Sequence, residues 1–304
     1  MNTKFQNSFV FPARRRIIAI GDIHGDLARL IVLLRGVGII NDQFQWVAEP
    51  KDTWVVQVGD QLDSKVRAPD ATEEWETTAD VQVVFFMRSL DREARRHGGR
   101  VVSLLGNHEL LNVMGDMSYV SQKSMNMLGG PQNRVATFRP GAFMAKVLAD
   151  RPIVVQIGSF VFCHAGILPH HIAACNGDLD VMNNLMRKYL LGEPLLDPEE
   201  QQAFMTLFVD MEAVIWTRQA LNEAYHKNVL PSVLDVLQAS ALVVGHNPML
   251  NGVVTTAARN LWFVDTGMSR VFGGSLQCLE ILDNGVPGPQ NNEQPIRILS
   301  MVKN

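Results

Sequence analysis

The sequence predicts an α/β fold. Three observations predict it: short apolar runs recur along the chain, most stop at a glycine beside a carboxylate, asparagine or histidine, and helical periodicity follows several of these stops. Strand, glycine, polar residue and helix in that order is the βαβ pattern. Sheets of this kind gather their ligands at the carboxyl ends of the strands.

Arg16-Ile17-Ile18-Ala19-Ile20 is the first buried strand, and it runs into Gly21-Asp22-Ile23-His24-Gly25-Asp26. Asp22 and His24 are two apart, so in extended backbone they leave on one side and can grip a single cation. Leu27 to Val37 carries Leu, Ile and Val at helical spacing, and Gln43 to Glu49 reads as a loop or short hairpin. Thr53 to Val58 is the second strand, closed by Gly59-Asp60-Gln61-Leu62-Asp63-Ser64. The acidic segment Lys65 to Asp80 reads as a solvated loop leading into a helix over Ala79–His97, which Gly98-Gly99 ends. Arg100 to Leu105 is the third strand and meets Gly106-Asn107-His108-Glu109, where Glu109 reads as a helix-start residue favoured by the helix dipole.

Between Leu110 and Gly130, the methionines Met114, Met117, Met125 and Met127 read as core or loop packing. Gly141 to Asp150 is expected to be helical. Ile153–Ile157 and Ser159–Cys163 form a hairpin about Gly158, the second strand ending at His164-Ala165-Gly166. Asp178–Gly192 and Pro198–Tyr225 read as helical cover without catalytic clusters, and Pro231–Ser240 as a further helix. Ala241–Val244 is a strand ending at Gly245-His246-Asn247-Pro248, and Leu261–Val264 leads to Asp265-Thr266-Gly267. Gln277–Leu282 and Ile296–Met301 close the chain as strands around a turn over 284–294. No repeat or linker interrupts this order, so a single domain over 1–304 with a short extension at 1–15 is expected.

Composition bounds the function. Of 304 residues, 47% are hydrophobic and 19% charged, enough for a large core. The net charge of −4 and the lack of a basic block argue against nucleic-acid binding. No apolar run approaches the roughly 18 residues of a membrane span. Charges follow the apolar stretch in Met1–Arg16, the wrong order for a secretory signal. The odd cysteine count (Cys163, Cys175 and Cys278) suits free thiols in a reducing compartment. A cytoplasmic location is therefore expected.

Asp22, His24, Asp60, Asp63, Asn107, His108, His164 and His246 all stand at strand ends, so they can be neighbours in space. This mixed nitrogen and oxygen set suits manganese, iron or zinc better than magnesium. It holds too many ligands for one ion and enough for two. Asp60, between the first and third junctions, is the candidate to bridge them at about 3.5–4 Å. Such a pair binds phosphoryl oxygens and activates a water for in-line attack on phosphorus. His108 is the candidate to protonate the leaving group, with Asp63 hydrogen-bonded to its imidazole. His97, His170, His171 and His226 read as structural, and Cys163 as a small buried residue.

These motifs, in this order, resemble the calcineurin-like metallophosphoesterases, and the Gly-Asn-His-Glu form resembles the phosphoprotein phosphatase branch. The run Leu104 to Asn112, Gly115-Asp116 and Phe138-Arg139-Pro140-Gly141 are similar to the Shewanella-like protein phosphatases. The resemblance implies a β-sandwich of two mixed sheets flanked by helices. It implies Asp22, His24 and Asp60 on one divalent ion, and Asp60, Asn107, His164 and His246 on a second. It implies His108 as general acid paired with Asp63, and Asn107 beside the substrate phosphate. Manganese is the expected metal, with iron, zinc or magnesium as alternatives, and the substrate a phosphorylated protein or small phosphoester. The branch normally follows the aspartate at position 63 with a phosphate-gripping arginine; here that position is Ser64, so either Arg67 or another arginine folds in to do the job or the substrate is unusual, while Arg218 resembles a second phosphate-binding arginine of the branch. Two rival readings are a dinucleoside polyphosphate hydrolase and a phospho-binding pseudo-enzyme.

Overall fold

A computed structural model describes residues 8–67, 71–283 and 296–301. The turn expected over 284–294 lies outside the described residues, as do residues 1–7 of the N-terminal extension. Two sheets face each other. The first holds β2 (Arg16–Ile20), β3 (Trp54–Gln57), β4 (Arg100–Ser103), β10 (Gln277–Leu282) and β11 (Ile296–Ser300), in the order β11-β10-β2-β3-β4. β2, β3 and β4 are parallel, and β10 runs against β2. The second holds β1 (Val10–Phe11), β5 (Val154–Ile157), β6 (Phe160–Cys163), β7 (Ala241–Val244), β8 (Val254–Thr255) and β9 (Leu261–Phe263), in the order β1-β5-β6-β7-β9-β8. β6, β7 and β9 are parallel, and β5–β6 is the expected hairpin. The extension at 1–15 is thus partly structural, since β1 pairs with β5.

The strands read as continuous apolar runs because both faces of each sheet are covered. Ile17, Ala19, Trp54 and Val56 meet Phe160, Phe162, Val243 and Trp262 between the sheets. The alternate residues Ile18, Ile20 and Val55 face α1 (Leu27–Gly36) and α2 (Asp80–Arg96). On the far side, Val161, Cys163, Leu242 and Val244 pack under the remaining helices. Those are α3 (Asn107–Met114), α5 (Pro131–Phe138), α6 (Phe143–Leu148), α7 (Pro169–Ala174), α8 (Leu179–Leu190), α9 (Pro198–Phe204) and α10 (Leu230–Val236), while α4 (Gln122–Met127) packs against α5. Phe162 is fully buried between the sheets, so Phe162→Ala is expected to cost about 3–5 kcal/mol in a denaturant titration. None of the described helices is long and apolar enough to cross a membrane.

Three expectations need correction. α5 was not anticipated, and the helix expected over 141–150 is the shorter α6. Pro198–Tyr225 is helical only in part. After α9 and a π-turn over Met205–Val209, residues 211–216 form irregular turns, because Ala213, Val214 and Ile215 are buried on all sides and packing overrides helical propensity. Met114 and Met127 are about half exposed, on the outer faces of short helices, rather than packed inside.

Candidate metal centre

The strand-end residues do meet. β2 delivers Asp22 and His24, β3 delivers Asp60 and Asp63, and β4 delivers Asn107 and His108, each just past its carboxyl end. β6 and β7 deliver His164 and His246 from the second sheet in the same sense. Backbone bonds lock the rims together: Ile23 and His24 N–H donate to Asp60 O at 2.9 and 3.0 Å, and Gly245 N–H donates to His164 O at 2.8 Å. Contacts also cross between the sheets. His164 Nδ1 lies 2.9 Å from Val58 O, and the His246 N–H donates to the Asp22 carboxylate at 3.2 Å.

The backbone here is strained. His24, Asp60, Asp63 and His246 have φ of 44°, 55°, 67° and 65°, a region costing non-glycine residues of order 1–3 kcal/mol each, and one that clusters at functional sites. Glu109 holds much of this geometry. Its buried carboxylate accepts from the backbone N–H groups of Asp60, Gln61, Leu62 and Gly106 at 2.8–3.1 Å. The helix-start role is real, but it is half of what Glu109 does, because the carboxylate also ties the β3 loop to α3. Gly106 is required by close approach: a Cβ there would fall on Asp60 Oδ1 and 2.6 Å from the Asp60 nitrogen. Gly106→Ala is therefore expected to displace Asp60 and lower cation affinity at least about tenfold, read by metal titration, while far-ultraviolet circular dichroism is unchanged.

Two triads of ligand atoms result: His24, Asp60 and His108, and Asp60, His164 and His246. Within each, all ligand atoms lie within 4.8 Å of one another, and Asp60 belongs to both. His24 Nδ1 is 3.0 Å from Leu62 O, and with His164 Nδ1 on Val58 O, both rings are held with Nε2 toward the centre. His246 is reversed: Nε2 is 3.0 Å from Trp216 O, which leaves Nδ1 inward, 3.1 Å from Asn107 Oδ1. Asn107 Oδ1 also lies 2.9 Å from His164 Nε2. Asp22 stands beside the triads rather than within one. The irregular segment, expected to be plain cover, supplies Trp216 O, so it orients a member of the site.

The charges fit divalent cations. Asp22, Asp60, Glu109 and Asp265 are buried carboxylates in one site. Burial, then Asp265 and Asp60, pushes Asp22 well above the usual carboxylate range. Burial pushes Asp265 up to about 6. Burial would raise Asp60 too, but the imidazoles of His164, His108 and His24 outweigh it and hold Asp60 well below its ordinary value. Burial, with Arg67 and His108 nearby, lowers His24, and burial with His164 lowers His246 to about 3. Burial would lower His164 as well, but Asp60, by its charge and hydrogen bond, outweighs it and raises His164. A cation displacing that proton would meet two neutral imidazoles, His24 and His246, and mutually repelling carboxylates, a donor set suited to divalent ions.

Around this centre sits a second layer. His108 Nδ1 is 2.8 Å from Asp63 Oδ2, as the sequence predicts. Behind it, Asn112 Nδ2 donates to Asp63 Oδ1 at 2.8 Å, and the fully buried Arg134 donates to Asn112 Oδ1 and to Asp80 at 2.8 and 2.7 Å. Arg67 does fold back: its Nη1 lies 3.1 Å from His108 Nε2, and its guanidinium sits over the rings of Tyr119 and Phe272 at 4.7 and 5.1 Å. Ser64 is buried and turned away, its hydroxyl donating to Thr77 O at 2.9 Å. Arg218 reaches the rim, where Nη1 donates to Asn247 Oδ1 at 2.8 Å. Glu109, Asp265, Arg134, Tyr119 and Phe272 escaped sequence reasoning in these roles. Only Asp265, at the end of β9 like the other strand-end residues, carried a signal that could have found it.

The family model of the calcineurin-like phosphoesterases matches residues 15–274. The chain is 27% identical to the Shewanella-like protein phosphatase 2 of Arabidopsis thaliana, over 91% of this chain and 78% of that protein. It is 28% identical to the Shewanella-like protein phosphatase 1 of Plasmodium berghei, over 84% and 67%. Among solved structures, the cold-active protein-tyrosine phosphatase of a psychrophilic Shewanella species shares the fold, with a TM-score of 0.74 and 22% identity over 91% of this chain and 78% of that one.

Proposed function

Because the chain belongs to the calcineurin-like phosphoesterase family, we propose that it is a metal-dependent phosphomonoesterase acting on phosphorylated protein through a dinuclear centre. The observation that carries the dinuclear reading is that one carboxylate, Asp60, is common to both triads. The phosphoprotein substrate is supported by the protein phosphatases among its relatives.

In this reading Asp22, His24 and Asp60 hold one divalent ion, manganese by preference, and Asp60, Asn107, His164 and His246 hold the other. The ions, when bound, polarise the phosphoryl oxygens and acidify the attacking water. The residues of the chain do the rest. His108 gives its Nε2 proton to the departing alkoxide, and Asp63 keeps Nδ1 as a hydrogen-bond donor and the ring in place. Arg67 swings from His108 to two phosphate oxygens, its stacking between Tyr119 and Phe272 confining it to that plane. Arg218, already committed to Asn247, steadies the rim beside His246. The three cysteines are free and buried, and burial raises the Cys163 thiol. These features support a reducing compartment and give the thiols no part in the reaction.

The test is turnover of a phosphopeptide panel by the manganese-loaded protein. Phosphate release that EDTA abolishes and manganese restores is expected. Tight phosphopeptide binding without release would replace this reading with that of a binding protein. Turnover of diadenosine tetraphosphate alone would replace it with that of a polyphosphate hydrolase.

A further inference from the structure

A cleft of about 680 Å³ opens between the outer edges of the two sheets, away from the metal centre. Its floor includes Val101, Val102 and Ser103 of the edge strand β4, and Phe11 of the edge strand β1. The N–H groups of Val101 and Leu105 point outward from β4, to Asp91 and to Pro152 O. By strand alternation the Ser103 N–H between them faces the same side. Six arginines line the cleft: Arg88, Arg92, Arg95, Arg100, Arg151 and Arg187. In a chain of net charge −4, that concentration needs a reason.

Carboxylates account for half of it. Arg88 and Arg187 share Asp150 at 3.2 and 3.4 Å, and Arg95 pairs with Asp91 at 2.7 Å. Arg92, Arg100 and Arg151 have no carboxylate partner within ion-pair distance among the described residues. Arg92 donates only to the Ser89 hydroxyl at 3.0 Å, and the Arg100 guanidinium rests over Phe11 and Trp54. Arg151 is 9% exposed, and its Nη1 is buried without a hydrogen-bond partner. A buried guanidinium nitrogen left unpaired is costly. Its other nitrogen, Nη2, donates to Gln61 Oε1 at 2.8 Å, and the N–H groups of Gln61 and its neighbour Asp60 both donate to the Glu109 carboxylate.

We propose that this cleft is a binding site for a compact polyphosphate anion, held by Arg92, Arg100 and the unpaired Nη1 of Arg151. Guanidinium forks match phosphate oxygens two at a time. A charged chain of several phosphates, rather than a single one, suits three guanidinium groups spread along the cleft. Because Arg151 also holds Gln61, occupancy is felt at the β3 loop. The site does not depend on the reading of the metal centre.

The experiment is calorimetric titration of the full chain, metal-loaded and after chelation, with inorganic tripolyphosphate, a methylene-bridged ATP analogue and adenosine. The chelated protein removes the competing cations. Tripolyphosphate and the nucleotide analogue are expected to bind within a few-fold of each other. Arg92→Gln with Arg100→Gln is expected to weaken both at least about tenfold without changing the melting temperature or phosphopeptide turnover. Arg92→Gln alone, on the exposed face of α2, keeps the test sound if loss of Arg100 unfolds the edge. Superimposable titrations of wild type and both variants would overturn the proposal, as would adenosine binding while tripolyphosphate does not.

Discussion

Asp60→Asn is expected to reduce phosphopeptide turnover on the order of 10³-fold or more, together with the loss of bound cation. Several kcal/mol of transition-state stabilisation rest on cations in such a site, and each 1.36 kcal/mol is about tenfold in rate. The amide keeps the size of the carboxylate, but it offers a neutral oxygen where three imidazoles surround a charge. His164 Nε2 lies 3.3 Å from Asp60 Oδ2, and His24 and His108 Nε2 lie 3.8 and 3.7 Å away. Asp60 Oδ1 also accepts from the His108 N–H at 3.0 Å, a bond the amide oxygen can keep, so the loss is expected at the cations and not in the seating of α3. Elemental analysis beside steady-state kinetics checks this. Normal cation content and normal turnover in Asp60→Asn would remove Asp60 from the centre.

His108→Asn is expected to lower turnover of a phosphoserine peptide by about 10²–10⁴-fold, the usual weight of general acid catalysis. The loss should depend on the leaving group. A serine alkoxide needs its proton as the bond breaks, whereas 4-nitrophenolate leaves with little help, so the same variant should retain far more activity on 4-nitrophenyl phosphate. Cation content should stay at the wild-type level. This comparison is needed because a ring nitrogen of His108 also lies within 4.8 Å of the His24 and Asp60 ligand atoms. Equal losses on both substrates, with one cation fewer per chain, would make His108 a ligand and not an acid.

The site was legible in the sequence to the extent that each residue ended its own strand. Asp22, His24, Asp60, Asn107, His164 and His246 all follow short apolar runs, and a parallel sheet delivers such residues to one rim. The flanking glycines were part of the same signal: Gly106 and Gly245 leave room for the carboxylates of Asp60 and Asp22. What could not be read is what reaches the site from elsewhere. Glu109 looks like any acid in a first helical turn, and its four backbone partners depend on how the β3 loop folds over it. Arg134 sits on α5, a helix with no strong apolar stripe, and its pairing with Asp80 across the fold has no local trace. Trp216 contributes a carbonyl, which no side-chain pattern reveals. Arg67 was one of two candidates because the sequence does not show that Tyr119 and Phe272 flank its guanidinium. The α/β class followed from the repeated strand, glycine, polar order and the two-sheet sandwich from the family resemblance, whereas the strand order of each sheet and the irregular cover over 211–216 did not, since the buried run Ala213-Val214-Ile215 spells the same as a helix.

The most direct measurement is the electron paramagnetic resonance spectrum of the manganese-loaded protein, taken with its cation stoichiometry. Two ions sharing the Asp60 carboxylate would lie close enough for their spins to couple. The expected result is about two ions per chain and a broad, exchange-coupled spectrum that Asp60→Asn converts to the six-line pattern of isolated manganese, or to none. A six-line spectrum from wild-type protein carrying one ion per chain would contradict the dinuclear centre.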